Sequence, residues 1–198
     1  MRRIFVFLTI VLLTSISFSR GARNLMLQPV EVTLETKIKQ GPYRTYTGKP
    51  VTWKDFKGTP DSTSEFAAMI YSGIGMKYEF RQSGNKTIVE VRLHPYMNRE
   101  KSWYKDSLIT DHLLRHEQGH FDIAAIVAKE LAERIRTNHY NVANFKDEID
   151  RLHKEYLHIL WERQVSYDEQ TQHGMHAEQQ IAWHLELSQR LDAYDLMP

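Results

Sequence analysis

Five consecutive residues, His116-Glu117-Gln118-Gly119-His120, constrain this chain more than any other part of its sequence. Two histidines four positions apart lie on one face of an α-helix, about 6 Å apart along its axis. Imidazoles at that spacing can bind one Zn²⁺, and the intervening glutamate can contact an attacking water. The run predicts a zinc site with His116 and His120 as ligands and Glu117 as general base. The alternative is a polar helix face with solvated histidines.

A catalytic zinc takes three protein ligands and leaves one position open. We predict His173 as the third ligand, because Gly174 allows a sharp backbone turn that aims the imidazole at the helix. Neighbouring polar residues in what we predict to be a loop, Asp168 to Gly174, would hydrogen-bond to the ligands. His153 and Glu148, on the preceding predicted helix, are the alternative third ligands.

Helix geometry excludes three nearby residues as ligands. His112 and His120 are about 12 Å apart along the axis, and Glu130 lies about 15 Å beyond His120. Asp122 points about 200° around the helix from His120.

Tyr167 precedes the predicted third ligand and carries a hydroxyl that can donate a hydrogen bond. We predict that it stabilises the developing oxyanion, a role that needs one donor besides the metal. A core tyrosine that closes a helix pair is the alternative.

Alternating apolar residues predict an antiparallel hairpin over about 68–93, with Ser83-Gly84-Asn85 as its turn and Pro95 ending its second strand. A shorter alternation at 30–34 predicts another strand. Helical periodicity then predicts a long helix starting near Asp106 or Thr110, an antiparallel second helix over about 145–163, and a last helix over about 175–191. This order predicts an α+β, zincin-like fold.

The N-terminus has the three parts of a secretory signal peptide. Basic Met1-Arg2-Arg3 precedes an uncharged run from Ile4 to Ile16, and small residues lead to a predicted cleavage after Ser19. Residues 20–198 then form a single predicted domain in the periplasm or outside the cell. An uncleaved N-terminal anchor is the alternative; after cleavage, no stable membrane insertion is expected.

Composition limits the possible partners. The chain of 198 residues has 26 basic and 25 acidic residues, so no nucleic-acid partner is expected. It contains no cysteine, so its core must stabilise it without disulfides.

The run over residues 113–124, LLRHEQGHFDIA, resembles a bacterial family of predicted secreted zinc-dependent proteases that is described as a domain of unknown function. Residues 53–58, Ala67-Ala68 and the segment 167–174 also match, so the resemblance spans roughly residues 50–185. The resemblance implies a secreted zinc-dependent protease but does not indicate its substrate.

Together these features predict a secreted zinc-dependent peptidase that acts on a peptide or protein. A cell-wall peptide amidase with the same zinc chemistry is one alternative. The other alternative is a non-catalytic envelope module in which a fourth protein ligand completes the coordination of the zinc.

Overall fold

The computed structural model describes residues 26–27, 30–34, 41–83, 86–141 and 143–195. In chain order the strands are β1 Met26–Leu27, β2 Val30–Leu34, β3 Tyr43–Thr45, β4 Ala68–Met69, β5 Ser72–Ser83, β6 Lys86–Asn98, β7 Trp103–Tyr104 and β8 Tyr140–Asn141. The helices are α1 Asp111–Thr137, α2 Phe145–Thr171 and α3 Ala177–Asp195. Most strands precede the helices, so the fold is α+β, as predicted.

β6 is the central strand of the main sheet. The antiparallel β5 pairs with one edge of β6 over its whole length, which confirms the predicted hairpin, although residues 84–85 of its turn lie outside the described residues. The parallel β2 and the antiparallel β3 share the other edge. Ala68–Met69, predicted as the hairpin's start, instead form β4, which pairs with β7.

Pro95 does not end the second hairpin strand, contrary to the prediction. Its carbonyl accepts a hydrogen bond from the Tyr46 amide, so it faces the edge of β6 that does not pair with β5. Because the nitrogen and the carbonyl of one residue face the same edge of a strand, the Pro95 nitrogen faces that edge too. On that edge Pro95 falls between Leu93, the last partner of β2, and Tyr96, the first partner of β3. No ladder hydrogen bond is lost there, and the strand continues to Asn98.

The helix that carries the histidine motif, α1, packs across the sheet. Val89, Val91 and Leu93 alternate along β6 and are fully buried in one cluster with the apolar stripe of α1. Burying a side chain of this size contributes about 1.5–3 kcal/mol relative to exposure. The Thr110 hydroxyl caps the start of α1, as predicted, by accepting a hydrogen bond from the Leu113 amide, and the helix ends at Asn138. The motif therefore lies on a helix that packs on the sheet and has a side-chain cap at its start.

The second helix is longer than the sequence predicted. It runs through Arg163 to Thr171, so most of the predicted loop is its last turn. Tyr167 and Thr171, one turn apart, are both fully buried and continue the apolar face of the helix. The helix ends where Gln172, His173 and Gly174 take the left-handed backbone conformation in succession.

No helix in the described ranges is long and apolar enough to span a bilayer. The predicted signal peptide, residues 1–19, lies outside them.

Candidate metal centre

His116 and His120 lie one turn apart on α1 and face the same side, as their spacing predicts. Their ring centroids are 5.0 Å apart, and the rings are nearly perpendicular. Both side chains are largely buried, with 4% and 12% of their surfaces exposed.

The third member of this group is Asp168, in the last turn of α2. Its Oδ1 lies 3.1 Å from His116 Nε2 and 3.0 Å from His120 Nε2. All three atoms lie within 4.8 Å of one another, a spacing at which they could hold one metal ion. The sequence predicts only a supporting hydrogen bond for Asp168, in a predicted loop, whereas the structure places it on a helix.

The Oδ1 atom of Asp168 has the environment expected of a metal ligand. It is buried, and no donor among the described residues makes a hydrogen bond of acceptable geometry to it. A buried carboxylate oxygen without a donor is costly unless a cation compensates it. Two imidazole nitrogens and one carboxylate oxygen form a donor set that suits zinc, so these residues fit the predicted metal.

Electrostatics keeps the Asp168 carboxyl ionised. Burial alone would raise its pKa, but the adjacent His116 and His120 imidazoles lower the pKa well below its usual range. The side chain therefore offers a negative oxygen, which is the form that binds a cation.

Glu117 lies beside the group without belonging to it. Its Oε2 accepts a hydrogen bond of 2.7 Å from the Ile70 amide, which follows β4, and the residue is only 3% exposed. Burial raises the pKa of its carboxyl, an effect that the neighbouring His120 and His116 partly offset. This carboxyl also lines the cleft described below, where it can contact a bound molecule.

His173, the predicted third ligand, lies at the rim of the site. Its side chain is 47% exposed, and its Nδ1 is 3.6 Å from Asp168 Oδ1. Its ring packs against Phe66 at 4.7 Å between centroids. The structure thus places His173 next to Asp168 but outside the compact group of three, and direct metal binding by His173 stays a prediction.

The alternative third ligands lie far from the two motif histidines. The Nε2 of His153 is 2.9 Å from the Ile74 carbonyl oxygen, within hydrogen-bonding distance. Along α2, His153 and Glu148 precede Asp168 by about 22 and 30 Å respectively.

Helix geometry excluded three neighbours, and none of them belongs to the group of possible ligands found among the described residues. His112 Nε2 contacts the carbonyl of Gly174. Glu130 pairs with Arg163 and Arg190. Asp122 accepts from Tyr46 and Gln118 on the other side of α1.

Tyr167 packs in the protein core, against one of the histidines of the metal group. The residue is fully buried, and its ring stacks on that of His116 at 4.8 Å and 12°. Its hydroxyl is 3.1 Å from the His116 carbonyl oxygen, to which it donates a hydrogen bond, and burial raises its pKa well above the usual range. These contacts favour the alternative of a core tyrosine over the predicted donor to an oxyanion.

Gln180, on α3, completes a closed cycle of hydrogen bonds around His116. The His116 Nδ1 is 2.9 Å from the Gln180 Oε1, and the Gln180 amide donates to the Tyr167 hydroxyl, which in turn donates to the His116 carbonyl. If Nε2 binds a metal, Nδ1 must carry the proton, so the amide oxygen must be its acceptor. The cycle therefore fixes both the orientation and the tautomer of His116.

The glycine of the motif is required by Tyr167. A Cβ built at Gly119 would overlap the Tyr167 hydroxyl oxygen and lie 2.6 Å from the ring carbon that bears it. Gln118 contributes differently: its side-chain oxygen accepts from the Val51 amide and its nitrogen donates to Asp122. These two residues join α1 to neighbouring segments. The five-residue run therefore contributes to the packing of α1 as well as to the possible metal site.

A cleft with a volume of about 1000 Å³ opens over the metal group. Its polar lining includes His116, Glu117, His120, Asp168 and His173. One wall comes from residues 65–70, including β4, and the opposite wall comes from the second half of α2. The site can therefore admit a ligand considerably larger than water.

Residues 94–174 match the model of a family described as "Bacterial protein of unknown function (DUF922)". The matched segment contains the motif, Asp168 and His173, whereas Gln180 lies beyond it. No curated protein and no solved structure matches the chain.

Proposed function

We propose that this protein is a zinc-dependent peptidase with a zincin-like site, in which His116, His120 and Asp168 hold the metal. The observation that carries the proposal is the buried Oδ1 of Asp168, which faces two Nε2 atoms and accepts no hydrogen bond of acceptable geometry from the described residues. A zinc ion bound there supplies Lewis-acid chemistry that polarises a carbonyl and makes water more acidic.

Glu117 is the proposed general base. Its carboxylate takes a proton from the attacking water and passes it to the leaving amine. The Ile70 amide holds Oε2 by a hydrogen bond, which fixes the carboxylate relative to the adjacent histidines. Gln180 and Tyr167 hold the His116 ring, so that its Nε2 keeps a constant direction.

Three protein ligands favour a catalytic site over a structural one, because structural zinc sites are closed by a fourth protein ligand. His173 is the residue that could supply a fourth ligand, by a rotation of its half-exposed side chain towards Asp168. The non-catalytic alternative therefore depends on His173, and zinc binding without hydrolysis would support it.

The test compares purified protein loaded with zinc, stripped by a chelator, and reloaded with zinc. Each form is incubated with an unfolded protein and with peptidoglycan. We expect hydrolysis of the protein by the two zinc-containing forms and none by the stripped form. Release of cell-wall peptides alone would favour the amidase, and zinc binding with no hydrolysis of either would contradict the enzyme.

We also propose that residues 1–19 direct export, as the order of basic, apolar and small residues indicates. N-terminal sequencing of the protein recovered from periplasm or medium should begin at Arg20. A chain that retains Met1 in the membrane fraction would indicate an anchor instead.

A further inference from the structure

Large apolar side chains surround the cleft above the metal group. Five of them are more than one third exposed: Phe66, Met69, Leu108, Trp161 and Met175. Exposed apolar side chains that cluster around a polar floor are typical of ligand-binding sites, because a ligand recovers the free energy of their burial.

Trp161 is the largest of these side chains, and it shares a face of α2 with a proposed metal ligand. It precedes Asp168 by two helical turns, about 10 Å along the axis. The His158 ring stacks on it at 5.7 Å, yet 59% of Trp161 remains exposed. The indole therefore offers an open apolar surface within reach of a molecule bound at the metal group.

The wall formed by residues 65–70 lies close to Glu117, the proposed base. Phe66 packs against His173, and Met69 directly precedes Ile70, whose amide binds Glu117. This wall and Trp161 therefore both line the cleft that contains the proposed ligands and the proposed base.

The charges of the cleft disfavour an acidic ligand. Among the described residues that line it, the acidic ones are Glu65, Glu117 and Asp168, and none is lysine or arginine. A substrate carboxylate side chain that does not reach the proposed metal would lose its hydration there without gaining an ion pair with lysine or arginine.

We propose that the cleft selects peptides with a large aliphatic or aromatic side chain next to the scissile bond, and that Trp161 is the main determinant of this preference. The proposal rests on the peptidase function proposed above. It names the substrate class of the same site: extended, apolar peptide segments rather than carboxylate-rich ones.

The experiment measures binding separately from hydrolysis. The zinc-loaded Glu117→Gln variant is titrated with two blocked pentapeptides that differ only in a central phenylalanine or glutamate, and tryptophan fluorescence reports binding. We expect the phenylalanine peptide to bind at least roughly tenfold more tightly, since burying an aromatic side chain is worth about 1.5–3 kcal/mol. In Trp161→Ala, made in the same background, that ratio should fall to about threefold or less, as read by calorimetry.

Ile181→Ala is the matched control. Ile181 is 69% exposed on α3 and does not line the cleft, so its loss should leave the ratio unchanged. Equal affinity for the two peptides, or a ratio insensitive to Trp161→Ala, would overturn the proposal. The parent enzyme is then given a mixed peptide library: lack of all cleavage with a retained binding preference would count against the peptidase function and not against the apolar cleft.

Discussion

The Oδ1 of Asp168 lies 3.0 Å from the Nε2 of His120, so the last turn of α2 reaches the histidine face of the motif helix α1. The same oxygen lies 3.1 Å from His116 Nε2. Two of the proposed ligands thus come from the local geometry of one helix, and the third depends on how two helices pack. The proposed metal site therefore requires stable packing of α2 against α1.

Replacing the proposed base should separate metal binding from hydrolysis. Glu117→Gln keeps the shape of the side chain and an oxygen that can accept from the Ile70 amide, so we expect normal folding and normal zinc content. Hydrolysis should fall by about 10²–10⁴-fold, the usual contribution of a general base. Initial rates at equal zinc occupancy provide the measurement, and a rate equal to that of the parent would rule out this role for Glu117.

Loss of the Gln180 amide should weaken zinc binding although Gln180 does not belong to the ligand group. In Gln180→Leu the His116 Nδ1 loses its acceptor, and outer hydrogen-bond partners of this kind are worth about 10–100-fold in metal affinity. Titration against a competing chelator measures the affinity. Gln180→Glu restores an acceptor and should recover most of it, whereas equal losses in both variants would indicate a purely structural residue.

Tyr167→Phe distinguishes the two roles of the tyrosine. The contacts of the hydroxyl to His116 and Gln180 predict a stability cost of about 1 kcal/mol, with hydrolysis retained to within about tenfold. A donor to the oxyanion would instead be worth about 10²–10³-fold in kcat. Denaturant unfolding and steady-state rates of the same preparation decide between them.

Gly119→Ala should destabilise the fold, although alanine normally stabilises a helix interior by about 0.5–1 kcal/mol relative to glycine. The new methyl group would overlap Tyr167, and overpacking of this kind costs about 1–3 kcal/mol. Denaturant unfolding measures the change. In the double variant with Tyr167→Leu the combined loss should be smaller than the sum of the single losses, and strict additivity would argue against the contact.

The sequence was most informative where chemistry depends on positions within one helix. His116, Glu117 and His120 have fixed relations on any helix, and the same geometry removed His112 and Asp122 as ligands. The Thr110 cap and the alternation that produces the hairpin are equally local signals.

The proposed roles of Asp168 and Gln180 were not predicted from the sequence, because these roles depend on contacts between helices. The mostly polar residues around Asp168 predict a loop, yet Tyr167 and Thr171, one turn apart, indicate that the buried face of α2 continues. Gln180 lies on a helix with many polar side chains, and nothing in its sequence distinguishes a buried glutamine from an exposed one.

The central claim is that Asp168 completes the metal site, and zinc stoichiometry of Asp168→Ala beside His173→Ala tests it most directly. Metal content is measured by mass spectrometry after dialysis, with circular dichroism to establish that both variants are folded. We predict about one zinc per chain for the parent and for His173→Ala, and almost none for Asp168→Ala. Full zinc content in Asp168→Ala, with loss in His173→Ala, would contradict the claim.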